Sequence, residues 1–327
     1  MKAYWTGNKV AKNGMTMSIT SEGYDSDRKL LWGICYRMTG NVMDADDIVQ
    51  ETFLKALEKF SGQTDEQRRA WLIKVAMNLS RDCLRRRRQR GYVGPWLPSP
   101  LPDDILDSLS YESEQLTTAQ EDSPVARYEL QESVSFAFLL ALEALTPIQR
   151  ATLLLRDVFD YSTNETAEIL GSSVASIKIA LHRARKAMLN YDKTSTRSNL
   201  ALAEMTRLAL ERFLYCLRTG DSAGLAQLLV EDVVVVSDGG GEVMALLAPM
   251  RGREKVLRLV ERLNAVYHPQ TEARFCLLNN LPALLFQREE VRAGHGQRFS
   301  MHCQVGNDGT IQALYFIFAP SKLAALK

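Results

Sequence analysis

The hydrophobic positions of this chain follow a helical period first and a strand-like alternation later. Between residues 25 and 90 apolar residues recur three and four positions apart in three stripes, which predict three amphipathic helices. Helical spacing resumes from about 125 to 192. After residue 200, two helical stretches (201–218 and 222–229) precede the β-branched run DVVVVSDGGG. A helix at 252–265 and alternating runs near 272–279, 282–288, 297–304 and 311–318 complete the pattern.

These changes of pattern predict a multidomain chain with two all-α helical domains and a C-terminal α+β domain. The stretch GYVGPWLPSPLPDD and the acidic residues after it are typical of a linker. The first residues contain no apolar signal core, so we expect a disordered leader. The predicted segments are 1–24 for the leader, 25–90 for the first helical domain, 91–124 for the linker, 125–193 for the second helical domain and 199–327 for the α+β domain.

Residues 145–189 contain the most specific motif, a predicted helix-turn-helix. Thr146-Pro147 starts one helix, and Gly171 turns a short second helix into a basic third helix. Hydroxyls near the start of that third helix and cations further along are what a DNA-reading helix needs. The candidate DNA contacts are Ser173, Ser176, Lys178, His182, Arg183 and Arg185. The alternative is an ordinary amphipathic helix pair with a solvated basic face.

A second group of polar residues lies on two predicted helices between residues 44 and 90. Asp46, Asp47, Gln50 and Glu51 share the exposed side of the first of them. The helix at 67–90 is aromatic and polar at one end and strongly basic at the other. Aromatic and amide side chains beside a basic track suit single-stranded nucleic acid, through stacking, edge hydrogen bonds and phosphate neutralisation. The alternative for each helix is a solvated charged face.

Charge and cysteine content narrow the class of protein. The net charge is only +1, while basic residues cluster at 81–90 and 178–186, which favours placed nucleic-acid contacts over indiscriminate binding. The five cysteines are scattered and form no CxxC pair, which argues for reduced thiols and against a zinc site. We therefore expect a cytoplasmic protein with no metal ion and no cofactor, and without a membrane span.

At this point a family resemblance becomes specific. The segment RKLLWGICYRMTGNVMDADDIVQETFLKALEKF resembles the σ2 domain of bacterial extracytoplasmic-function (ECF) sigma factors, and residues 145–189 resemble their σ4 domain. The resemblance covers about residues 25–192. It implies a factor without catalysis that brings RNA polymerase core enzyme to promoter DNA, with Asp46, Asp47, Gln50 and Glu51 on the clamp of the largest subunit.

The resemblance also implies which residues meet each promoter element. Asn78 and the loop 61–65 would receive a base flipped out of the melted −10 element, and the arginines after Asn78, Arg87 included, would hold phosphates. The −35 duplex would face the basic helix of the helix-turn-helix. The residues implied for the −10 element are Ser61, Gln63, Asp65, Trp71, Asn78, Arg81, Arg85 and Arg86.

The linker and the C-terminal part resemble a subgroup with a SnoaL-like extension, a cystatin-like α+β cone. The segments that support this resemblance are GYVGPWLPSPL, the glycine motif at 238–241 and the tail FAPSKLAAL. Ser99, Ala319 and Ser321 depart from the subgroup, which has Glu, Asn and Asp there. Because Trp96 is a large apolar group and glycines permit close backbone approach, we expect segment 95–98 to dock on 238–241 and set the spacing of the DNA-binding domains. The residues involved would be Trp96, Leu97, Pro98, Asp238, Gly239, Gly240, Gly241, Lys322 and Leu323. A flexible turn is the alternative.

Other functions remain open on the sequence. The cone could be an enzyme, which would require a buried acid–base pair. The candidates for that pair are Asp232, Asp238, Tyr267, His268 and His302. It could instead bind a small apolar ligand without turnover. A helix-turn-helix regulator of another class would lack the acidic helix at 44–57 and the aromatic–basic helix that follows it, and both are present.

Overall fold

The protein is described from a computed structural model. The structure describes residues 21–59, 65–106, 128–130, 132–194, 199–267, 271–289 and 294–326. The predicted leader therefore lies almost entirely outside the described residues, as do Ser61, Gln63 and the acidic part of the predicted linker. Side chains at 65–66 and 265–267 are likewise outside them.

Three helices form the first helical body, as the three apolar stripes predict. They are α1 (Ser21–Thr39), α2 (Val42–Lys59) and α3 (Asp65–Arg90). Their inner faces share a core that includes Ile34, Phe53 and Leu72. Asn41 precedes α2, and its side-chain oxygen accepts a hydrogen bond from the amide of Asp44 at 3.0 Å. An Asn oxygen satisfies one of the unpaired amides at a helix start, so α2 begins where it does because of Asn41.

The second helical body contains the predicted helix-turn-helix. Its elements are a 3-10 turn (Glu132–Val134), α4 (Phe136–Leu142), α5 (Pro147–Leu153), a π-helical turn (Leu154–Val158), α6 (Thr163–Leu170) and α7 (Val174–Thr194). Thr146 and Ser162 cap α5 and α6 through reciprocal bonds with Gln149 and Glu165. Gly171 ends α6 in the left-handed conformation, at φ 58°, where a side chain would be strained. These local signals position α7.

The C-terminal body is the predicted α+β fold. Its helices are α8 (Asn199–Thr219), α9 (Ser222–Leu228) and α10 (Arg253–Tyr267). Its strands are β1 (Leu229–Asp238), β2 (Met250–Arg251), β3 (Thr271–Leu278), β4 (Leu281–Arg288), β5 (Arg298–Val305) and β6 (Ile311–Ile317). They form one mixed sheet in the order β2-β1-β6-β5-β4-β3, in which only β1 and β6 run parallel. A 3-10 turn (Pro320–Leu323) follows β6.

The central strands of the sheet are covered on both faces. One face packs on α8, α9 and α10 through side chains such as Leu284 and Phe286. The other face packs on the linker, the start of α4 and the C-terminal tail, through Ala283 and Leu285 among others. The predicted apolar–polar alternation is therefore wrong for β4, whose residues 282–286 are all buried. The nearly continuous apolar run LPALLF was the sign of a strand covered on both sides.

The two helical bodies share one continuous core. Two buried arginines join them. Arg37 on α1 donates to the Ser133 hydroxyl at 2.7 Å and to the Leu130 carbonyl at 3.0 Å. Arg150 on α5 donates to the Met38 carbonyl at 2.9 Å. The protein is thus folded in a closed arrangement, with α3 lying against α5 and α6.

Candidate functional site

The acidic side of α2 is exposed. Asp46, Asp47, Gln50 and Glu51 all face solvent, and Asp46 accepts a hydrogen bond from the Trp32 indole N–H at 2.8 Å. Three large apolar side chains that the sequence analysis did not select lie on the same surface. Met43, Leu54 and Leu57 are 49%, 55% and 58% exposed, respectively. With Asp47 and Gln50 they form a continuous stripe at helical spacing, which we call the α2 stripe. Their apolar character at otherwise polar positions was the available signal.

The aromatic and polar positions of α3 partly face the helix-turn-helix. Trp71 is half-buried against the core, and Asn78 accepts a hydrogen bond from the Arg81 guanidinium at 3.1 Å. The same guanidinium donates to the Leu170 carbonyl at the end of α6, at 3.2 Å. Burial lowers the pKa of Arg81. Arg85 and Arg86 remain exposed.

The outer face of α7 presents most of the predicted DNA contacts together. Ser173, Ser176, Lys178, His182 and Arg183 are all exposed, with the two serine hydroxyls 2.8 Å apart at the start of the helix. Buried Ile177, Ala184 and Met188 hold the opposite face in the core. The face has the polar and cationic composition that groove and phosphate contacts require.

Arg185 differs from its neighbours on α7. Its guanidinium forms two hydrogen bonds with Asp157, at 2.9 and 2.6 Å, and Asp157 is 1% exposed. The hydrogen bond to Asp157 raises the pKa of Arg185. Arg185 therefore stabilises the π-helical turn, and its assignment as a DNA contact stays a prediction.

Other arginines of α3 join the two helical bodies. Arg87 donates to the Thr39 carbonyl at 2.9 Å and to both carboxylate oxygens of Glu143 at 2.9 and 3.0 Å. Glu143 also accepts from Arg150 at 2.5 Å, and Arg88 donates to the Leu145 carbonyl. Glu143, which lies just after α4, thus provides the carboxylate that pairs with the Arg87 guanidinium.

The first part of the linker docks on the C-terminal body around a buried carboxylate. Asp238 is fully buried and accepts four hydrogen bonds: from the Tyr92 hydroxyl (2.7 Å), the Leu97 amide (2.7 Å), the Gly240 amide (2.9 Å) and the Lys322 ammonium (2.6 Å). We call this arrangement the Asp238 clasp. Desolvation lowers the pKa of Lys322 to about 8, and the charge of Asp238 opposes that shift.

Trp96 covers the clasp. Its ring lies 4.2 Å from the Lys322 ammonium and 4.0 Å from the Arg87 guanidinium, so cations from the tail and from α3 both stack on it. A Cβ on Gly40 would lie 2.5 Å from the ring, and a Cβ on Gly239 would lie 2.2 Å from the Val243 carbonyl oxygen. Gly40, which the sequence analysis did not select, permits the approach of the Trp96 ring, whereas Gly239 permits the tight turn of its own loop. The docked residues Leu97, Pro98 and Leu323 are buried, and Gly241 contacts the Val93 side chain.

Of the candidate acid–base residues of the cone, the three that the structure describes have different surroundings. Asp238 is held in the clasp, Asp232 is exposed, and His302 is buried with its ring stacked on Phe136 at 4.3 Å. Burial lowers the pKa of His302 to about 3. His268 and the side chain of Tyr267 lie outside the described residues. Within the described part of the chain, no group of three or more His, Cys, Asp or Glu side chains could hold a metal ion.

The cone contains an apolar cavity of about 120 Å³ between the sheet and helices α8 and α10. Phe286 and Phe299 stack at 4.5 Å in its wall, and Phe316 and Phe318 stack at 6.0 Å. Arg288 also lines it. This guanidinium donates to the Gly296 carbonyl at 2.9 Å and lies 4.8 Å from the Phe299 ring. The cavity is therefore largely aromatic, with the buried Arg288 and the exposed Arg218 as its cationic groups.

Comparison with known proteins matches both helical bodies to the sigma-70 class. The model of Sigma-70 region 2 matches residues 24–90, and that of Sigma-70 region 4 matches residues 135–188. The chain is 30% identical over 254 residues to the ECF RNA polymerase sigma factor SigJ of Mycobacterium tuberculosis, covering 75% of this chain and 73% of that protein. It is 31% identical over 263 residues to SigG of the same species, covering 77% and 69%.

The crystal structure of SigJ from M. tuberculosis superimposes with a TM-score of 0.68 at 27% identity, covering 93% of this chain and 98% of that one. The likeness therefore includes the C-terminal body. The chain belongs to the ECF RNA polymerase sigma factor family and carries a C-terminal α+β extension. No helix in the described ranges is long and apolar enough to cross a membrane.

Proposed function

We propose that this sigma factor binds RNA polymerase core enzyme through the α2 stripe and its acidic neighbours, and contacts the −10 and −35 elements through α3 and α7. One observation carries the proposal: a single chain presents an exposed acidic and apolar helix face and a separate exposed basic recognition face. Exposed apolar side chains next to charged groups are typical of a protein docking surface.

The chemistry of each face fits its proposed target. On α7, Ser173 and Ser176 lie where short hydroxyls reach base edges or phosphates, and Lys178, His182 and Arg183 add positive charge. On α3, the Asn78 amide and the Trp71 ring lie on the predicted route of the single strand. Extruding a base costs a few kcal/mol of stacking, which contacts to the flipped base must return.

We further propose that the extension modulates promoter binding by maintaining the closed arrangement. Arg81 and Arg87, both proposed for the −10 element, are engaged by the Leu170 carbonyl and by Glu143 of the σ4 domain. The −10 and −35 elements lie at different positions along one duplex, and each intervening base pair adds about 3.4 Å to the distance between them. The σ2 and σ4 domains therefore have to separate to read both elements. The Asp238 clasp ties the linker between them to the extension and opposes that separation.

Run-off transcription by core polymerase with the full-length protein tests the function. We expect initiation from specific sites of a genomic template library, and loss of initiation for Asp47→Arg with Leu54→Asp. Lys55→Ala, exposed on α2 but off the stripe, is the matched control. If the wild-type protein neither binds core enzyme nor directs initiation, the proposal is wrong. We infer that the extension acts without catalysis, because Asp238 is engaged in the clasp, Asp232 is exposed and His302 is buried against Phe136.

A second candidate function, ligand binding in the cone, rests on the cavity. An engineered apolar cavity of about 150 Å³ binds benzene, so the volume here suits a ring of that size. The aromatic wall and Arg288 favour a small aryl carboxylate, whose charge would bond to the guanidinium. Phenylacetate should raise the Tm of the full chain more than phenylacetamide, and Arg288→Gln should abolish the difference. Equal shifts from both compounds would contradict this assignment.

A further inference from the structure

A turn of the extension is inserted between the σ2 and σ4 domains. Asn279 and Asn280 connect β3 and β4, both with positive φ (54° and 64°), as two-residue hairpin turns with Asn prefer. Hairpin tips normally lie in solvent, yet Asn279 is 0% exposed. Burial of a polar side chain is unfavourable unless its hydrogen bonds are made, so Asn279 needs buried partners.

Asn279 makes those bonds to three separate parts of the chain. Its amide nitrogen Nδ2 donates to the Tyr36 hydroxyl of σ2 at 2.9 Å and to the Val134 carbonyl of σ4 at 2.8 Å. Its Oδ1 accepts from the Leu101 amide of the linker at 2.9 Å, and its own backbone amide donates to the Leu101 carbonyl at 2.9 Å. One side chain thus bonds σ2, the linker and σ4 at the same time.

Because Asn279 bonds to all three, the positions of σ2, the linker and σ4 depend on one another. If σ4 moves away while the turn stays buried, the Nδ2 group loses one acceptor, and an unsatisfied buried donor has a free-energy cost. The cost is avoided only if the whole turn withdraws. Withdrawal also breaks the bonds to Tyr36 and Leu101, so opening is cooperative.

The contact continues to the polymerase-facing helix. The Tyr36 hydroxyl donates to the Ser99 carbonyl at 2.7 Å, and the Tyr36 ring stacks on Trp32 with centroids 5.3 Å apart and planes 12° apart. The Trp32 indole N–H donates to Asp46 on the acidic face of α2. Asp46, Trp32, Tyr36 and Asn279 therefore form a connected chain from the surface of α2 to the junction of σ2, the linker and σ4.

We propose that Asn279 is a latch that holds the σ2 and σ4 domains closed in the free protein, and that a cationic group of the polymerase docking on Asp46 releases it through Trp32 and Tyr36. The release step rests on the proposed docking of polymerase on α2. The latch itself does not, because it belongs to the free chain.

Small-angle scattering of the free full-length protein tests the latch. Asn279→Asp keeps the shape but places an oxygen opposite two acceptor oxygens, and Asn279→Gly keeps the left-handed backbone while removing the amide. Both variants should increase the radius of gyration, about 20 Å for a compact chain of this length, by at least roughly 3 Å. Asn280→Gly, in the same turn, should leave it unchanged.

Near-UV circular dichroism and the thermal transition establish whether each variant is folded. If the folded Asn279 variants both scatter as the wild type does, the latch is wrong. An equal expansion of Asn280→Gly would also overturn it, because loosening would then be a general effect of the turn. Neither result depends on polymerase.

A double-mutant cycle tests the release step through the Kd for core polymerase. Trp32→Phe keeps the ring stack but removes the N–H bonded to Asp46, and should tighten binding, as should Asn279→Asp. If the two residues act on one equilibrium, the double variant should gain less than the product of the single fold-changes. If the fold-change of the double variant equals the product of the single fold-changes within a factor of about two, the two residues act independently and the proposed coupling is wrong. A wild-type chain that does not bind polymerase would instead contradict the proposed function.

Discussion

Two arginines on α7, only two positions apart, have opposite surroundings. Arg183 is exposed on the proposed DNA face, while Arg185 lies on the next face of the helix and bonds to the buried carboxylate of Asp157. Both looked alike in the sequence because both belong to one basic run. What separates them is the position of Asp157, which is 28 residues away and is presented by a π-helical turn that no local signal predicts.

The two arginines should therefore respond differently to truncation. Arg183→Ala should weaken binding to a −35 duplex and lower the salt slope of log Kd by about one unit, because one phosphate contact is lost, with the Tm unchanged. Arg185→Ala leaves the Asp157 carboxylate buried without this cation and should destabilise the fold by about 1–3 kcal/mol. Fluorescence anisotropy against salt and thermal unfolding measure the two effects. Equal Tm values for both variants would contradict this division.

His302 makes the contact between the extension and α4 sensitive to acid. Its pKa is about 3 in the folded protein because it is buried, against an ordinary value of 6.5. Its contribution to stability is complete above pH 6.5 and is lost as the pH falls from 6.5 towards 3, by at most about 1.4 kcal/mol per pH unit. His302→Leu has no proton to gain, so the wild type should lose more stability than the variant between pH 6.5 and 4.5. Denaturant unfolding at each pH measures the difference, and parallel curves would refute it.

At the scale of elements, α2 presents acidic and apolar side chains together on one exposed face. Its inner face is buried, and its outer face alternates charged groups with Met43, Leu54 and Leu57. Exposed apolar side chains in a row mark a surface that is covered in a complex. The polar members of this surface were predicted from the sequence. The apolar members were not, since an apolar residue at helical spacing is normally assigned to the core.

Truncation of the stripe should separate binding from folding. Leu54→Ala with Leu57→Ala removes exposed apolar area, so the Tm should stay within about 1 °C while the Kd for core polymerase rises at least tenfold, as loss of an interface centre does. Lys55→Ala should change the Kd by less than twofold. Biolayer interferometry with immobilised core enzyme gives both values. If Lys55→Ala raised the Kd as much as the double leucine variant does, the contact with polymerase would lie elsewhere on σ2.

The sequence predicted most elements well, because their signals are local. Thr146-Pro147 marks the start of one helix, and Gly171 marks the end of another. Interactions that depend on distant partners were missed. The Asn41 cap of α2 was not selected from the sequence. The buried outer face of the sheet needs the linker and α4 to cover it, and the role of Asn279 needs three segments that are up to 243 positions away.

At the scale of the whole molecule, the extension and the linker act on σ2 and σ4 through a few buried polar groups. The apolar contacts there have no directional requirement, whereas Asp238 and Lys322 form a buried ion pair whose carboxylate accepts four hydrogen bonds. A buried ion pair adds little net stability but is costly to break from one side. Such a pair fixes one arrangement, and damage to it should favour another arrangement over general unfolding.

Asp238→Asn should therefore open the protein without unfolding its domains. The amide keeps the volume but leaves the Lys322 ammonium without its counter-charge, so the tail and the linker should separate from the glycine loop. Arg87, which stacks on Trp96 in the clasp, would be released, and we expect at least threefold tighter binding to a promoter fragment together with faster proteolysis within 91–124. Glu242→Gln, on the same loop but at the surface where it bonds to Ser321, is the matched control and should change neither quantity. If Asp238→Asn binds promoter DNA more weakly than the wild type while remaining folded, the clasp supports DNA binding and the proposed direction of modulation is reversed.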